Sequence, residues 1–243
     1  MQIADGIHRL TQGVTNFYLV EQGQRLVLVD AGTPKDWNVL IRSISSLGYD
    51  IADLEAVLLT HAHADHTGFA ERARGEAGAG VWIHEDDERA VKTGDVGKPD
   101  GKMASYLFRA QMYRTMLSLG RRGAARIIPV REVSSFSDDE FLDVPGKPRV
   151  IHAPGHTEGS CALFLESSHI LFAGDVLTTW NPLTGDPGPQ IMPSGMNRDT
   201  EQAMRSLGAL DGVPADTVLP GHGEPWTGGL IEAIRLAREA GVT

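Results

Sequence analysis

The stretch Leu59–Gly68, LTHAHADHTG, sets three histidines and an aspartate (His61, His63, Asp65 and His66) within six residues. The chain has nine histidines in all, so a third of them fall in this one segment. A buried crowd of imidazoles and carboxylates with nothing to bind would be costly. A solvated loop has no use for one. The apolar run LEAVLLT leads directly into the segment and reads as a buried strand, while GFAERARGEAG after it reads as a helix. In extended chain alternate side chains share a face, so His61 and His63 point the same way. Where the chain turns into the helix, Asp65 and His66 swing to a neighbouring position. Such geometry suits two adjacent metal ions, because neutral imidazole and carboxylate are good ligands for zinc and also suit iron and manganese.

Two such sites need further ligands downstream. APGHTEGS offers His156, FAGDVL offers Asp175 at a strand end, and LPGHGEP offers His222. The expected set is His61, His63 and His156 for one ion, with Asp65, His66 and His222 for the other. Asp175 would bridge them, since a carboxylate has two oxygens. The remaining histidines considered singly, His8, His84, His152 and His169, read as structural polar residues.

The rest of the sequence bounds the setting. The chain has 243 residues, 41% of them hydrophobic and 22% charged, which fits a single globular domain over 1–243. Its one cysteine, Cys161, rules out an internal disulfide framework and fits a cytoplasmic setting. It reads as a small apolar core residue and not as a ligand. The start MQIADGIHRLTQG lacks the basic-then-apolar pattern of a signal peptide, and no window is long enough to span a membrane. The net charge of -10 argues against a nucleic-acid partner. The most basic stretch, GRRGAARIIPVRE with Arg121, Arg122, Arg126 and Arg131, reads as a solvated turn. A small-molecule substrate and a monomer or homodimer are expected.

Strands dominate both halves. NFYLVE and RLVLVD form a hairpin signal, Thr33-Pro34 opens a helix that Gly48 closes, and GVWIHE is another strand. Met103–Leu119 reads as a helical insertion at about 100–120. RIIPV, EFLDV and RVIHAPGH read as strands, SCALFLE and HILFAGD as a second hairpin, and 178–199 as a long Pro- and Gly-rich loop. TEQAMRSLGAL and GLIEAIRLAREAG are helices, with the strand DTVLPGH between them.

On HAHADH, PGHTEGS, GD and PGHGEP, in that order, the sequence resembles the metallo-β-lactamase superfamily. The resemblance runs from NFYLV and VDAG to His222. It implies an α+β fold, a four-layer αββα sandwich in which two mixed β-sheets lie face to face with outer helices and the metals at one edge. It also implies that Asp30 in VDAG supports the metal ligands from behind. Aspartate at 175 resembles members that hydrolyse thioesters, lactones or phosphodiesters. Glyoxalase II thioesterases share the histidine segments but carry a further helical domain. Homoserine-lactone hydrolases place a tyrosine three residues after the bridging aspartate, where this chain has Thr178. Persulfide dioxygenases keep the ligand pattern with one iron.

The expected activity is that of a dinuclear metal hydrolase, with zinc first among the candidate ions. It would cleave an ester, thioester or lactone with a metal-bridging hydroxide. Asp65 and Asp175 are the expected catalytic carboxylates. An iron-dependent persulfide dioxygenase and a phosphodiesterase are the alternatives. Thr178, Trp180, Tyr106 and Tyr113 are the candidate substrate contacts.

Overall fold

A computed structural model describes residues 1–242. Seven strands form the first sheet in sequence order: β1 (Gln2–Ala4), β2 (Ile7–Thr11), β3 (Asn16–Gln22), β4 (Arg25–Val29), β5 (Leu54–Leu58), β6 (Gly80–His84) and β7 (Ser134–Phe136). Pairing is antiparallel from β1 to β4 and parallel from β4 to β7. The later strands are β8 (Arg149–His152), β9 (Cys161–Leu165), β10 (Ile170–Gly174), a two-stranded ribbon of β11 (Thr178–Trp180) and β12 (Pro187–Gln190), and β13 (Thr217–Pro220). The second sheet has the order β13-β10-β9-β8 and is also mixed. The helices are α1 (Trp37–Ser46), α2 (Ala70–Ala77), α3 (Glu85–Thr93), α4 (Ala110–Arg121), α5 (Thr200–Ser206) and α6 (Leu230–Ala240).

The strand alternation decides how these layers stack. Along β3, Tyr18 and Val20 face one way and Phe17 and Leu19 the other. The first pair joins Val27, Val29, Leu163, Ile170 and Phe172 in a core between the two sheets. The second pair packs with Trp37, Leu40 and Ile44 of α1, Ala70 and Ala73 of α2, and Val91 of α3. On the second sheet, Phe164 and Leu171 turn outward to Ala203 of α5 and to Leu230, Ala233 and Ile234 of α6. Three apolar layers thus separate helix, sheet, sheet and helix. This is the αββα sandwich expected from the sequence, because every strand that is buried on both faces must be covered on both.

Four local readings are corrected. RIIPV is not a strand: Ile127 and Val130 are buried, Ile128 is exposed, and Val130 N–H donates to Val91 O at the end of α3. EFLDV makes only an isolated bridge, Phe141 to Arg149, and the sheet takes Ser134–Phe136 as its edge strand instead. An edge strand of three residues with two exposed serines carries no apolar alternation to read. The long loop at 178–199 contains the β11–β12 ribbon. The helical segment is two pieces, a 3-10 turn at Met103–Tyr106 and then α4, broken at Leu107–Arg109.

The inter-sheet layer carries the stability on which the site rests. Leu163 is fully buried in it. Leu163→Ala should cost about 2–5 kcal/mol. The urea unfolding midpoint should fall while the slope of the transition stays the same.

Candidate metal centre

Each candidate ligand follows the end of a strand. Asp30 comes directly after β4, His61 to His66 after β5, His156 after β8, Asp175 after β10 and His222 after β13. Within each sheet these strands run parallel to one another, so their ends meet at one edge of the sandwich. Backbone bonds tie the two sheets together there: Cys161 N–H donates to Thr60 O (3.0 Å) and Asn16 N–H to Gly221 O (2.7 Å).

Seven side chains converge. The donor atoms of His61, His63 and His156 lie within 4.8 Å of one another, as do those of Asp65, His66 and His222, and those of His61, His66 and Asp175. Asp175 sits centrally. Its Oδ2 is 3.3 Å from His156 Nε2 and 3.2 Å from His222 Nε2, and its Oδ1 is 3.7 Å from His66 Nε2. Gly221 is what allows this approach, since a Cβ there would come 2.2 Å from Asp175 Oδ1 and 2.6 Å from His66 Cε1.

The far side of each ring shows what the near side is for. His66 Nδ1–H donates to Asp30 Oδ2 (2.8 Å), His222 Nδ1–H to Val14 O (2.7 Å), and His156 Nδ1–H to Asn197 Oδ1 (3.1 Å). His61 Nδ1 meets Thr60 Oγ1 (3.1 Å), which in turn donates to Asp30. A proton held on Nδ1 leaves the Nε2 lone pair free to ligate. The Nε2 atoms of His61, His66 and His222, together with Asp175 Oδ1, are buried without a hydrogen-bond partner. Buried polar atoms are nearly always satisfied. Four orphans converging among carboxylates fit divalent ions. His63 differs, presenting Nδ1 at 2.7 Å from His156 Nε2.

Asp30 holds this arrangement from behind. It is buried with φ +61°, a left-handed backbone that aspartate tolerates better than most residues. Its carboxylate accepts from Thr60 N–H (2.9 Å) as well as from His66. It therefore orients the start of the histidine segment and one ring within it.

Charge divides the histidines into two kinds. Burial and the neighbouring His66 and His156 hold His61 well below the ordinary histidine range. Burial and His156 push His63 down to about 3, and burial also lowers His156. Burial would lower His66 too, but Asp175, Asp30 and Asp65 outweigh it and raise His66 to about 10. His222 is likewise raised, burial being overcome by Asp175 and Asp65. Burial opposes ionisation of both carboxylates, yet the facing His222 and His66 hold Asp175 well below the usual range, and His66 and His222 lower Asp65.

The sequence profile of the metallo-β-lactamase superfamily matches residues 10–222. The chain belongs to the metallo-β-lactamase superfamily. It is 29% identical over 239 residues to the probable metallo-hydrolase YflN of Bacillus subtilis, covering 93% of this chain and 87% of that one. It is 27% identical to a probable metallo-hydrolase of Methanocaldococcus jannaschii, over 86% of this chain and 88% of that one. Among solved structures it is similar to a metallo-β-lactamase family protein of Thermus thermophilus. That match has a TM-score of 0.71 and 25% identity, covering 98% of this chain and 80% of that one. The enzyme class expected from the sequence, a hydrolase of the metallo-β-lactamase fold, is borne out at the level of the superfamily.

The four substrate-contact candidates stand apart from the cluster. A cavity of about 240 Å³ opens onto His63, Asp65, His156 and Asp175, with walls from Val96–Pro99, Ala124, Gly195, Met196 and Arg198. None of the four lines it. Tyr106 is buried against Met112 and Leu183, its hydroxyl 3.0 Å from Ser194 Oγ, and so supports the wall from behind. Tyr113 is exposed and its hydroxyl donates to Leu107 O. Thr178 is fully buried, its hydroxyl directed at Gln190 O. Trp180 lines a second cavity of about 580 Å³ with Arg9, Val14, Gln111 and Trp226. The wall residues Lys98 and Arg198 escaped the sequence reading, because isolated cations in irregular loops carry no pattern. His84, Asp86 and His152 also bring three donors together. There His84 caps α3 through Nδ1, and its ring stacks on His152 at 3.9 Å.

Asp30→Ala leaves His66 Nδ1 without its acceptor. Metal affinity should fall about 10- to 100-fold, measured by competition against a chromophoric chelator, with the fold retained by circular dichroism.

Proposed function

We propose that the chain is a dinuclear hydrolase that cleaves an ester, thioester or lactone, with zinc as the native ion. The observation that carries this reading is Asp175, which lies between the two groups, its Oδ2 beside His156 of the His61/His63/His156 group and His222 of the Asp65/His66/His222 group, and its Oδ1 toward His66. The donors are all nitrogen and oxygen. Cys161 is buried, and its Sγ faces Thr60 O at 3.4 Å. Such a set suits zinc, iron and manganese, and excludes a thiolate-dependent site.

Bound divalent ions supply Lewis acidity and bring the pKa of a coordinated water near neutrality. The remaining work falls to the chain. Asp175 fixes the separation of the two groups. Asp65 lines the cavity floor with Oδ2 held by the Thr15 hydroxyl at 2.8 Å. From there it orients the attacking water, accepts its proton and returns it to the leaving oxygen or sulfur. The cavity, of about 240 Å³, has room for a small acyl group.

Two measurements test this. Protein purified without added metal should contain two zinc ions per chain and hydrolyse members of an ester, thioester and lactone panel. One iron per chain with oxygen uptake would establish the dioxygenase alternative, and turnover confined to phosphodiesters the other. Loss of an outer partner alone costs about 10- to 100-fold, so His61→Ala should lower kcat/KM by more than that.

The charge division gives a second expectation. His66, raised to about 10, holds a proton at neutral pH that an entering ion must displace, and the neighbouring His222 is shifted in the same direction by Asp175 and Asp65. His61, His63 and His156 are lowered and already neutral there. Affinity at the Asp65/His66/His222 group should therefore rise steeply with pH toward about 10, the value for His66. Affinity at the other group should change little above neutrality. Calorimetric zinc titrations in buffers of different ionisation enthalpy read both the proton release and the difference.

A further inference from the structure

The walls of the cavity above the cluster carry two charged side chains, Lys98 and Arg198, and both are cations. This is notable in a chain of net charge -10. Lys98 is exposed and enters no hydrogen bond or ion pair among the described residues. Arg198 is built into its place. Its backbone N–H donates to His156 O (3.2 Å), and the next amide, Asp199 N–H, donates to Gly155 O (2.9 Å). The preceding Asn197 accepts from His156 Nδ1 and donates to Met192 O (2.6 Å). The position of Arg198 is thus set by the same contacts that orient a candidate metal ligand. Its guanidinium lies against Gly97, where a Cβ would come 2.6 Å from Nη1. That contact sets the Gly97-Lys98 segment against Arg198, and both cations line the same cavity.

The charge partner of Arg198 is Glu158, at 2.8 Å. The Glu158 side chain is more than half exposed, and such surface pairs contribute little and exchange readily. A planar guanidinium beside a free ammonium is the chemistry that recognises carboxylate or phosphate.

We propose that Lys98 and Arg198 form an oxyanion-binding subsite at the wall of the cavity, and that the substrate is a small ester, thioester or lactone bearing a carboxylate or phosphate. The bond cleaved rests on the hydrolase reading above, whereas the anion subsite does not. The subsite sets substrate choice by holding the charged end of the molecule. The opposite, scissile end then reaches the floor lined by His63, Asp65, His156 and Asp175.

The test uses the metal-loaded protein. Calorimetry with glutarate and with inorganic phosphate separates carboxylate from phosphate recognition. Lys98→Ala/Arg198→Ala should weaken binding of the preferred probe about tenfold or more at unchanged metal content. Glu158→Gln frees Arg198 and should tighten the same binding, a gain that misfolding does not produce. Turnover of a glutaryl thioester and of the matched butyryl thioester gives the kinetic counterpart. The wild type should favour the glutaryl compound through KM, and the double variant should lose that preference. Binding of both probes by the double variant as tightly as by the wild type would overturn the proposal. If no member of the ester, thioester and lactone panel is cleaved while the binding difference persists, the hydrolase reading fails and the anion subsite stands.

Discussion

The centre of this molecule is a carboxylate among imidazoles. Asp175 approaches the Nε2 atoms of His156, His222 and His66, all of them buried. Burying that much ionisable surface is unfavourable unless every group is paired or ligates a cation. The chain meets the requirement in two steps. Protein acceptors take the Nδ1 side of His66, His156 and His222, namely Asp30, Asn197 and Val14 O. The Nε2 atoms of His66 and His222 are left without a protein partner, open to an ion. The fold serves this arrangement by ending five strands of two sheets at one edge, so that short loops reach the same few ångströms.

How much of this could be read in the sequence depends on how local the signal is. The segment His61–His66 is contiguous, and the Pro-Gly-His runs at 156 and 222 repeat one local solution, a glycine that lets backbone and ligand approach closely. Gly221 shows why the small residue is needed, since a side chain there would occupy the space of Asp175 and His66. The layers were legible for a similar reason: strict alternation along β3 and β4 states which residues face which core. Asp30 was different. Its role depends on a contact with His66 across 36 positions, and only the resemblance pointed to it.

Tertiary context decides what the local pattern leaves open. RIIPV has the composition of a strand, yet its buried residues pack beside α3 and not in the sheet. Trp180 follows a candidate ligand by five residues, which made a substrate contact plausible, but the β11–β12 ribbon turns it into a different cavity. Val14 lines that second cavity too, and its carbonyl takes the His222 N–H. Closeness along the chain to a ligand therefore did not mean closeness to the open side of the cluster.

The site thus has two parts built on different principles. The floor is made of strand ends, where sheet hydrogen bonds and three packed layers fix positions tightly. The wall is made of the segments at 96–99 and 195–198, which belong to no strand or helix. Loops of this kind accept substitution more readily than strand ends do. A fold arranged in this way keeps one metal-binding floor while its walls change the molecules admitted to it. In this chain the wall is joined to the floor at the candidate ligand His156, through Arg198 N–H to His156 O and Asn197 to the His156 ring. That coupling lets Arg198 in the cavity wall share the rigidity of the candidate ligand His156, although it lies on a loop.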